Sequence, residues 1–313
     1  MKKLVPDYYN DFRCLAGSCR HNCCIGWEID IDEETLAFYE NVPGEMGRRL
    51  KENICYDGGT AHYCMKPDGR CPFLNENDLC DIVINLGFDK TSQICDDHPR
   101  FRNFYSGREE TGLGMSCEAV AKLILSKTEK VQLVCVEEDE EELWPDEWDF
   151  IDTRDEIFDI LQDRTLSVDK RIAETLSLCR IEPAEYTVAQ LADIFMPLER
   201  LDENWTVLLE NLKETEKENI SCDDSSFDIP FEQLLVYLVF RHMTESLDDD
   251  RFKGRLLMVI NSFYLIRYLL WHHKNVKGNA TIDDLEEISR MFSAEIEYST
   301  ENTDALAEYF ENI

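Results

Sequence analysis

The chain has 313 residues, of which 43% are hydrophobic, so it is long enough for one or two domains with a substantial core. Its 66 acidic and 32 basic residues give a formal charge of −34, which repels phosphate backbones and anionic lipids and excludes neither protein partners nor small molecules. We therefore expect no nucleic acid and no membrane among its partners. The third constraint is cysteine: ten of the thirteen cysteines precede residue 118.

The start of the chain and the length of its apolar runs indicate a cytoplasmic protein. The start, MKKLVPDYYNDF, places Pro6 and Asp7 where an export signal would have its apolar core. The longest uncharged apolar runs, such as LLVYLVF at 234–240, are far shorter than the roughly twenty residues of a membrane span. Because thiols stay reduced in the cytoplasm, the clustered cysteines favour a metal or iron–sulfur site over an oxidised disulfide scaffold.

The first part of the chain is predicted to be rich in loops. Eleven of the thirteen glycines precede residue 118, several of them in turn contexts such as YDGG at 56–59. A short helix is expected after Asp32, which is a suitable N-cap for EETLAFYE. A loop-rich segment of this size needs a crosslink to stabilise its fold, and a bound metal would supply one. We predict a cysteine-rich metal or iron–sulfur domain over residues 1–136.

The second part is predicted to be helical. The acidic run EEDEEELWPDEWD at 137–149 indicates a solvated linker, since like charges repel. Beyond it, N-caps are expected at Ser167, Thr187 and either Asp202 or Asn204. The most apolar segments, IPFEQLLVYLVFRHM and GRLLMVINSFYLIRYLLWHH, are expected to form a central pair. The fold class is therefore mainly α, with the loop-rich cysteine domain followed by an all-helical domain over residues 150–313.

Eight cysteines fall in four short blocks: FRCLAGSCRHNCCIGW at 12–27, GRCPFLNENDLCDI at 69–82, SQICDDHPR at 92–100 and MSCEAV at 115–120. Thiolates select iron–sulfur clusters, zinc or copper(I). The candidate metal ligands are Cys14, Cys19, Cys23, Cys24, Cys71, Cys80, Cys95 and Cys117. Which of them bind, and whether they form one site or two, stays open at this point, and His21 or His98 is a possible substitute for a thiol.

The spacing of these cysteines narrows the class of site. Zinc ribbons favour paired CxxC knuckles, and the four blocks contain none. A CxxxCxxC run would indicate radical chemistry, but Cys24 follows Cys23 at once and no third thiol stands at 26. Cys55 and Cys64 lie between blocks without a clear role, and the later Cys135, Cys179 and Cys222 have the character of ordinary helix or loop residues.

The blocks resemble a known family. YYNDFRCLAGSCRHNCCIGWEIDIDEET is similar to the opening of the flagellin lysine-N-methylase family, and GRCPFLNENDLCDI with CDDHPR resembles the CxxCxxCC-type zinc- or iron-chelating proteins. Downstream, FEQLLVYLVFRHM and ISRMFSAEIEYSTEN are similar to helical segments of the methylase family. The resemblance spans nearly the whole chain, and the cysteine blocks are its most specific part.

The resemblance implies an enzyme that moves methyl groups from S-adenosylmethionine to lysine side chains of flagellin. It also implies an iron–sulfur cluster, of the 4Fe-4S type, on the N-terminal cysteines, with zinc as the alternative metal. No GxGxxG follows a predicted strand, so a Rossmann-type cofactor site is not predicted. Tyr298 stands where relatives are expected to have histidine, and we name no catalytic residue.

Five further side chains are candidates for cofactor binding, each with a simpler structural interpretation. They are Trp27, Arg100, Tyr237, Arg241 and Arg290. The tryptophan would shield a cluster or serve as ordinary core, and the others would hold a carboxylate of the methyl donor or form surface ion pairs. The competing function is a zinc- or iron-binding module, without catalysis, whose helical domain docks a partner. Oligomeric state is open.

Overall fold

The structure is a computed structural model that describes residues 1–140, 142–183, 185–214 and 224–313. Packing within it defines two compact units. The cysteine-rich unit is Arg13–Arg100, and the helical unit joins Met1–Phe12 to Phe101–Ile313. These limits differ from the division at 1–136, 137–149 and 150–313, which stays a prediction.

The described part of the chain forms six β-strands and fourteen α-helices. They are β1 (Lys2–Pro6), α1 (Glu33–Glu40), α2 (Gly44–Glu52), β2 (Ile54–Asp57), β3 (Thr60–Tyr63), α3 (Asp81–Leu86), α4 (Gln93–Asp97), β4 (Arg100–Phe104), β5 (Arg108–Leu113), α5 (Glu118–Leu125), β6 (Leu133–Glu137), α6 (Pro145–Leu161), α7 (Val168–Leu178), α8 (Val188–Phe195), α9 (Glu203–Lys213), α10 (Asp228–His242), α11 (Ser246–Asp249), α12 (Phe252–Lys277), α13 (Ile282–Phe292) and α14 (Thr300–Glu311).

The cysteine-rich unit is built from short elements around a small aromatic core. Asp32 caps α1 by accepting a hydrogen bond from the Thr35 amide at 2.9 Å, as predicted. The core contains Tyr39, whose hydroxyl lies 2.9 Å from that of Tyr63, and the Tyr63 ring packs edge-on against Phe73. So small a core holds only short elements in place, because it buries little apolar surface.

The antiparallel hairpin of β2 and β3 carries a disulfide between Cys55 and Cys64. This pairing differs from the expectation that the thiols are reduced. The physical reason is the register, which places Cys55 opposite His62 and so brings Cys64, two residues on, within reach. No role was predicted for these two cysteines because the hairpin itself was not predicted.

The helical unit contains a four-stranded sheet in the order β4-β5-β1-β6. Strand β1 pairs parallel to β5 and antiparallel to β6, so Leu4 lies opposite both Glu110 and Cys135. The sequence did not predict these strands, because KKLVP and REETGL lack the alternation of apolar and polar residues by which a half-buried strand is recognised.

The helices of this unit pack around α10 and α12, which are apolar on nearly all faces and buried, as predicted for a central pair. Helix α14 packs closely on α12 at Gly254, where a Cβ atom would lie 2.2 Å from the Ala307 carbonyl oxygen. Ser167, Thr187 and Asp202 are the N-cap residues of α7, α8 and α9, which confirms the predicted positions.

The acidic run joins two elements of the helical unit. Glu137, the first residue of the run, is the last residue of β6, and Pro145 is the first residue of α6. The first position of a helix tolerates proline, because its missing N–H would have no partner within the helix. Glu147 accepts a hydrogen bond from the Ser106 amide at 2.7 Å. The described chain is mainly α, which confirms that part of the predicted fold class. No described helix combines the length and apolarity that crossing a membrane requires.

Candidate functional site

Two cysteine blocks meet through the backbone of the cysteine-rich unit. The Cys71 amide donates to the Cys24 carbonyl at 2.8 Å, and the Gly26 amide donates to the Gly69 carbonyl at 2.8 Å. Glycine suits residue 26, whose φ of 82° is unfavourable for other residues. Within the second block, Leu74 forms a bridge with Cys80. Residues 22–26 therefore run beside the CPFL turn.

Five thiols share one electrostatic neighbourhood in this unit: Cys23, Cys24, Cys71, Cys80 and Cys95. Burial raises the pKa of Cys71 to about 11, and the neighbouring Cys80 adds to this effect. Burial also raises the pKa of Cys95 to about 12, with contributions from Cys71, Cys80 and Cys23. Cys71 and Cys95 are therefore protonated unless a cation, such as a bound metal, replaces the proton.

Adjacent Cys23 and Cys24 have opposite tendencies. A hydrogen bond from Cys24 lowers the pKa of Cys23 to about 7, and the same bond raises the pKa of Cys24 well above its ordinary value. Cys23 is exposed and Cys24 half-buried, so the proton stays on the inner sulfur. The outer thiolate is the more reactive of the two.

The other three predicted ligands are placed differently. Cys14 is exposed, and its sulfur accepts from the Ala16 amide at 3.3 Å. Cys19 is half-buried, with its sulfur 3.4 Å from the His21 carbonyl oxygen. Cys117 belongs to the helical unit, where it is the N-cap residue of α5. Cys222 lies outside the described residues.

The donor type fits a thiolate-bound metal, because four buried or half-buried sulfurs from three blocks lie in one neighbourhood. Within the described ranges, however, no group of three His, Cys, Asp or Glu side chains is arranged to hold a metal ion. The thiols would therefore have to turn toward one another for coordination, and the predicted ligand set stays a prediction.

The helical unit contains a second candidate site, a buried polar network around Glu297. Tyr237 donates its hydroxyl proton to Glu297 Oε2 at 2.8 Å, and His242 Nε2 lies 2.8 Å from Oε1. The Arg241 Nε lies 3.8 Å from the same oxygen, and its Nη2 donates to the Glu297 carbonyl at 3.3 Å. Met115 donates its amide proton to the Tyr237 hydroxyl at 3.1 Å. Tyr237 and Arg241 thus share one helix face, as predicted, and converge on a carboxylate.

The local fold explains this convergence. Glu297 ends a π-helical turn over Ser293–Glu297, and such turns re-aim side chains that a regular helix would point elsewhere. The Arg241 guanidinium lies over two rings, 4.8 Å from the centre of Phe101 and 4.9 Å from that of Tyr298. Tyr298 therefore covers the arginine on one side.

The network holds a carboxylate in its ionised form inside the protein. Burial opposes ionisation of Glu297, but the Arg241 charge and the His242 hydrogen bond outweigh it and lower the pKa of Glu297 to about 2. Burial raises the pKa of Tyr237, so this phenol stays protonated and donates. The arrangement is a compensated ion pair, because each buried charge has a partner of opposite sign.

The remaining cofactor-binding candidates are not part of this network. Arg290 forms an ion pair with Glu287 on α13 at 2.8 Å, which agrees with the simpler interpretation of this residue as part of an ion pair. Arg100 lies in the cysteine-rich unit and donates to the Asp96 carbonyl at 3.0 Å. Trp27 lies in the same unit and is half-buried. The role of all five in cofactor binding stays a prediction.

Sequence reasoning missed Glu297 and did not pair His242 with any residue. The available signal was a glutamate on each side of Ile296 within the short segment MFSAEIEY, since unpaired carboxylates are rarely buried. That signal shows that a partner is needed without identifying it.

Comparison with known proteins places the second site in a recognised domain. Residues 185–313 match the family model described as the FliB lysine N-methylase C-terminal domain. Proteins named Lysine-N-methylase from Salmonella choleraesuis (strain SC-B67) and Salmonella typhimurium (strain LT2) are each 28% identical over 142 residues, 42% of this chain and 35% of theirs. The Flagellar biosynthetic protein FliU of Salmonella muenchen is 27% identical over 142 residues, 42% of this chain and 84% of that protein.

The helical unit therefore contains a C-terminal domain of the lysine-N-methylase type. Through this domain the chain is similar to the lysine-N-methylase family, which supports the resemblance found in its helical segments. The match spans about a third of the two lysine-N-methylases. No solved structure matches the chain.

Proposed function

We propose that this protein is a lysine N-methyltransferase that uses S-adenosylmethionine and acts on flagellin. The observation that supports it most is the match of residues 185–313 to the FliB C-terminal domain, which includes the whole Tyr237–Glu297 contact. The names of the relatives connect that domain with lysine methylation and with flagellar proteins.

The chemistry is a displacement at a methyl carbon. The neutral ε-amine of a lysine attacks the sulfonium methyl group, the carbon–sulfur bond breaks, and S-adenosylhomocysteine leaves while the new ammonium loses a proton to solvent. A lysine with an ordinary pKa near 10.4 is mostly protonated at neutral pH, so the enzyme has to bind and align the minor, neutral form. Alignment and a local pKa shift are the two contributions a protein can make.

We further propose that Cys24, Cys71, Cys80 and Cys95 hold an iron–sulfur cluster of the 4Fe-4S type. These thiols come from three sequence blocks and influence one another electrostatically, which supports their assignment over Cys14, Cys19 and Cys117. A bound cluster would supply negative thiolate–iron charge, and it would crosslink and stabilise the short elements around it. Cys23 would remain outside as the partner of Cys24.

Mass spectrometry of flagellin tests the enzymatic proposal. Flagellin from cells that contain this protein is expected to carry methyl-lysine, and flagellin from cells in which the gene is deleted is expected to lack it. Purified protein with S-adenosylmethionine is expected to restore the methylation. Unchanged lysine methylation after deletion would refute the enzyme and favour a non-enzymatic metal-binding module.

Anaerobic purification tests the cluster separately. We expect brown protein with about four irons and four acid-labile sulfides per chain, and loss of both in each of C24S, C71S, C80S and C95S. The matched control is Cys135→Ser, because this thiol is exposed in the helical unit. Colourless protein with stoichiometric zinc, or a cluster that survives all four substitutions, would contradict the assignment.

A further inference from the structure

A groove lies between α8 and α14 of the helical unit, inside the domain shared with the lysine-N-methylases. Its volume is about 450 Å³, more than one amino-acid side chain occupies. The walls are apolar where Ile194, Leu198 and Leu306 line them, and Tyr186 and Tyr309 contribute two phenols. The groove belongs neither to the thiol cluster nor to the Glu297 network.

Among the residues that the structure describes, Asp193 is the one that lines this groove with a carboxylate. It already holds an ammonium, because Lys213 Nζ of α9 lies 2.5 Å from Asp193 Oδ1. Both side chains of the pair are well exposed, and exposed ion pairs are weak. A lysine from another protein can therefore exchange with Lys213 at little energetic cost.

The Tyr186 phenol adds a polar group to the groove. Its hydroxyl is buried and makes no hydrogen bond of normal geometry with a described residue. Burial and the neighbouring Tyr309 phenol raise the pKa of Tyr186 to about 12, so it is a neutral donor. The Tyr186 ring packs edge-to-face with the Phe310 ring, with 6.1 Å between the ring centres.

We propose that this groove captures the side chain of a substrate lysine in its protonated form, with the methylene stem on the apolar wall and the ammonium at Asp193, and that the ammonium loses its proton to solvent before methyl transfer. The inference rests on the proposed function and adds a place for its protein substrate. Aromatic and apolar walls beside one carboxylate accept a lysine amine with or without added methyl groups. The negative charge of the chain favours approach of a basic group.

Binding of a small probe to the full chain tests this directly. The probe is Nα-acetyl-lysine amide, compared with Nα-acetyl-norleucine amide, which has a similar chain length and no charge. The readout is ¹⁹F NMR of protein labelled with 3-fluorotyrosine, in which Y186F and Y309F assign the two signals. We expect the lysine probe to shift both signals and the norleucine probe to bind at least about fivefold more weakly.

Two substitutions are expected to act in opposite directions. Asp193→Asn should weaken the lysine probe about fivefold, whereas Lys213→Met should strengthen it about twofold because it removes the internal competitor. Glu210→Gln is the matched control, since it removes an exposed acid of α9 that does not line the groove. Equal binding of both probes, or equal binding by D193N and wild type, would overturn the proposal.

A third variant separates this inference from the proposed function. Ala305 is exposed on the groove wall, so Ala305→Phe should fill the groove without changing the thermal transition. If A305F methylates flagellin as well as wild type does, the groove inference is wrong and the enzyme stands. If the probe binds as expected but wild type transfers no methyl group, the enzyme is wrong and the lysine site stands.

Discussion

Tyr237 and Glu297 are 60 residues apart in sequence and are joined by a buried hydrogen bond of 2.8 Å between the phenol and a carboxylate oxygen. The contact connects the central helix α10 to the π-helical turn before α14. It is therefore a long-range restraint on the domain shared with the lysine-N-methylases, as well as a candidate site.

Replacing Glu297 with glutamine is expected to destabilise the protein by about 3–5 kcal/mol, because Arg241 would remain charged and buried without its partner. Urea denaturation followed by circular dichroism measures this free energy of unfolding. Asp159→Asn on the exposed face of α6 is the control and should change stability by less than about 0.5 kcal/mol. A similar small change for E297Q would show that the network carries little energy.

The same carboxylate predicts a pH dependence. Because folding lowers the pKa of Glu297 from its ordinary 4.5 to about 2, its contribution is present above about pH 4.5 and is lost as the pH falls toward 2. The stability difference between wild type and E297Q should therefore shrink over this interval, by about 1.4 kcal/mol for each pH unit. A difference that stays constant from pH 6 to pH 2.5 would contradict the assignment.

Alkylation should distinguish the thiols of the cysteine-rich unit. In reduced, metal-free protein at pH 7.5, iodoacetamide is expected to label Cys23 at least about tenfold faster than Cys71 or Cys95, because only Cys23 is both exposed and has a pKa near 7. Peptide mass spectrometry measures the rates, and unfolding in urea should equalise them. Faster labelling of Cys95 would refute the buried arrangement.

Gly254 in α12 and Gly278, the C-cap residue of that helix, should respond differently to alanine. At Gly254 the added Cβ would meet the Ala307 carbonyl oxygen at 2.2 Å, so α14 has to move, and we expect a cost of about 2–3 kcal/mol. At Gly278 the space is open and only the positive φ of 85° opposes alanine, which costs about 1 kcal/mol. Thermal or urea unfolding compares the two variants. A smaller effect at Gly254 than at Gly278 would show that the helices are not in close contact.

Local chemistry in the sequence was sufficient for most of the longer helices of the described chain, but not for short ones such as α2, α3 and α4. A cap needs only one suitable side chain and the first turn after it, so Asp32, Ser167 and Thr187 could be placed from the sequence. The buried pair α10 and α12 could be identified because both are apolar all round. The pairing of β1 with β5 and β6 could not, because it joins residues more than a hundred positions apart.

The sequence by itself determined that thiols are concentrated before residue 118 and that Tyr237 and Arg241 share a helix face, because both are properties of spacing. Only the tertiary structure decided which thiols are neighbours and that the helix face meets Glu297. The physical reason is the same in both cases: charges and thiols interact over a few ångströms of space, whatever their separation along the chain, and that distance is set by packing.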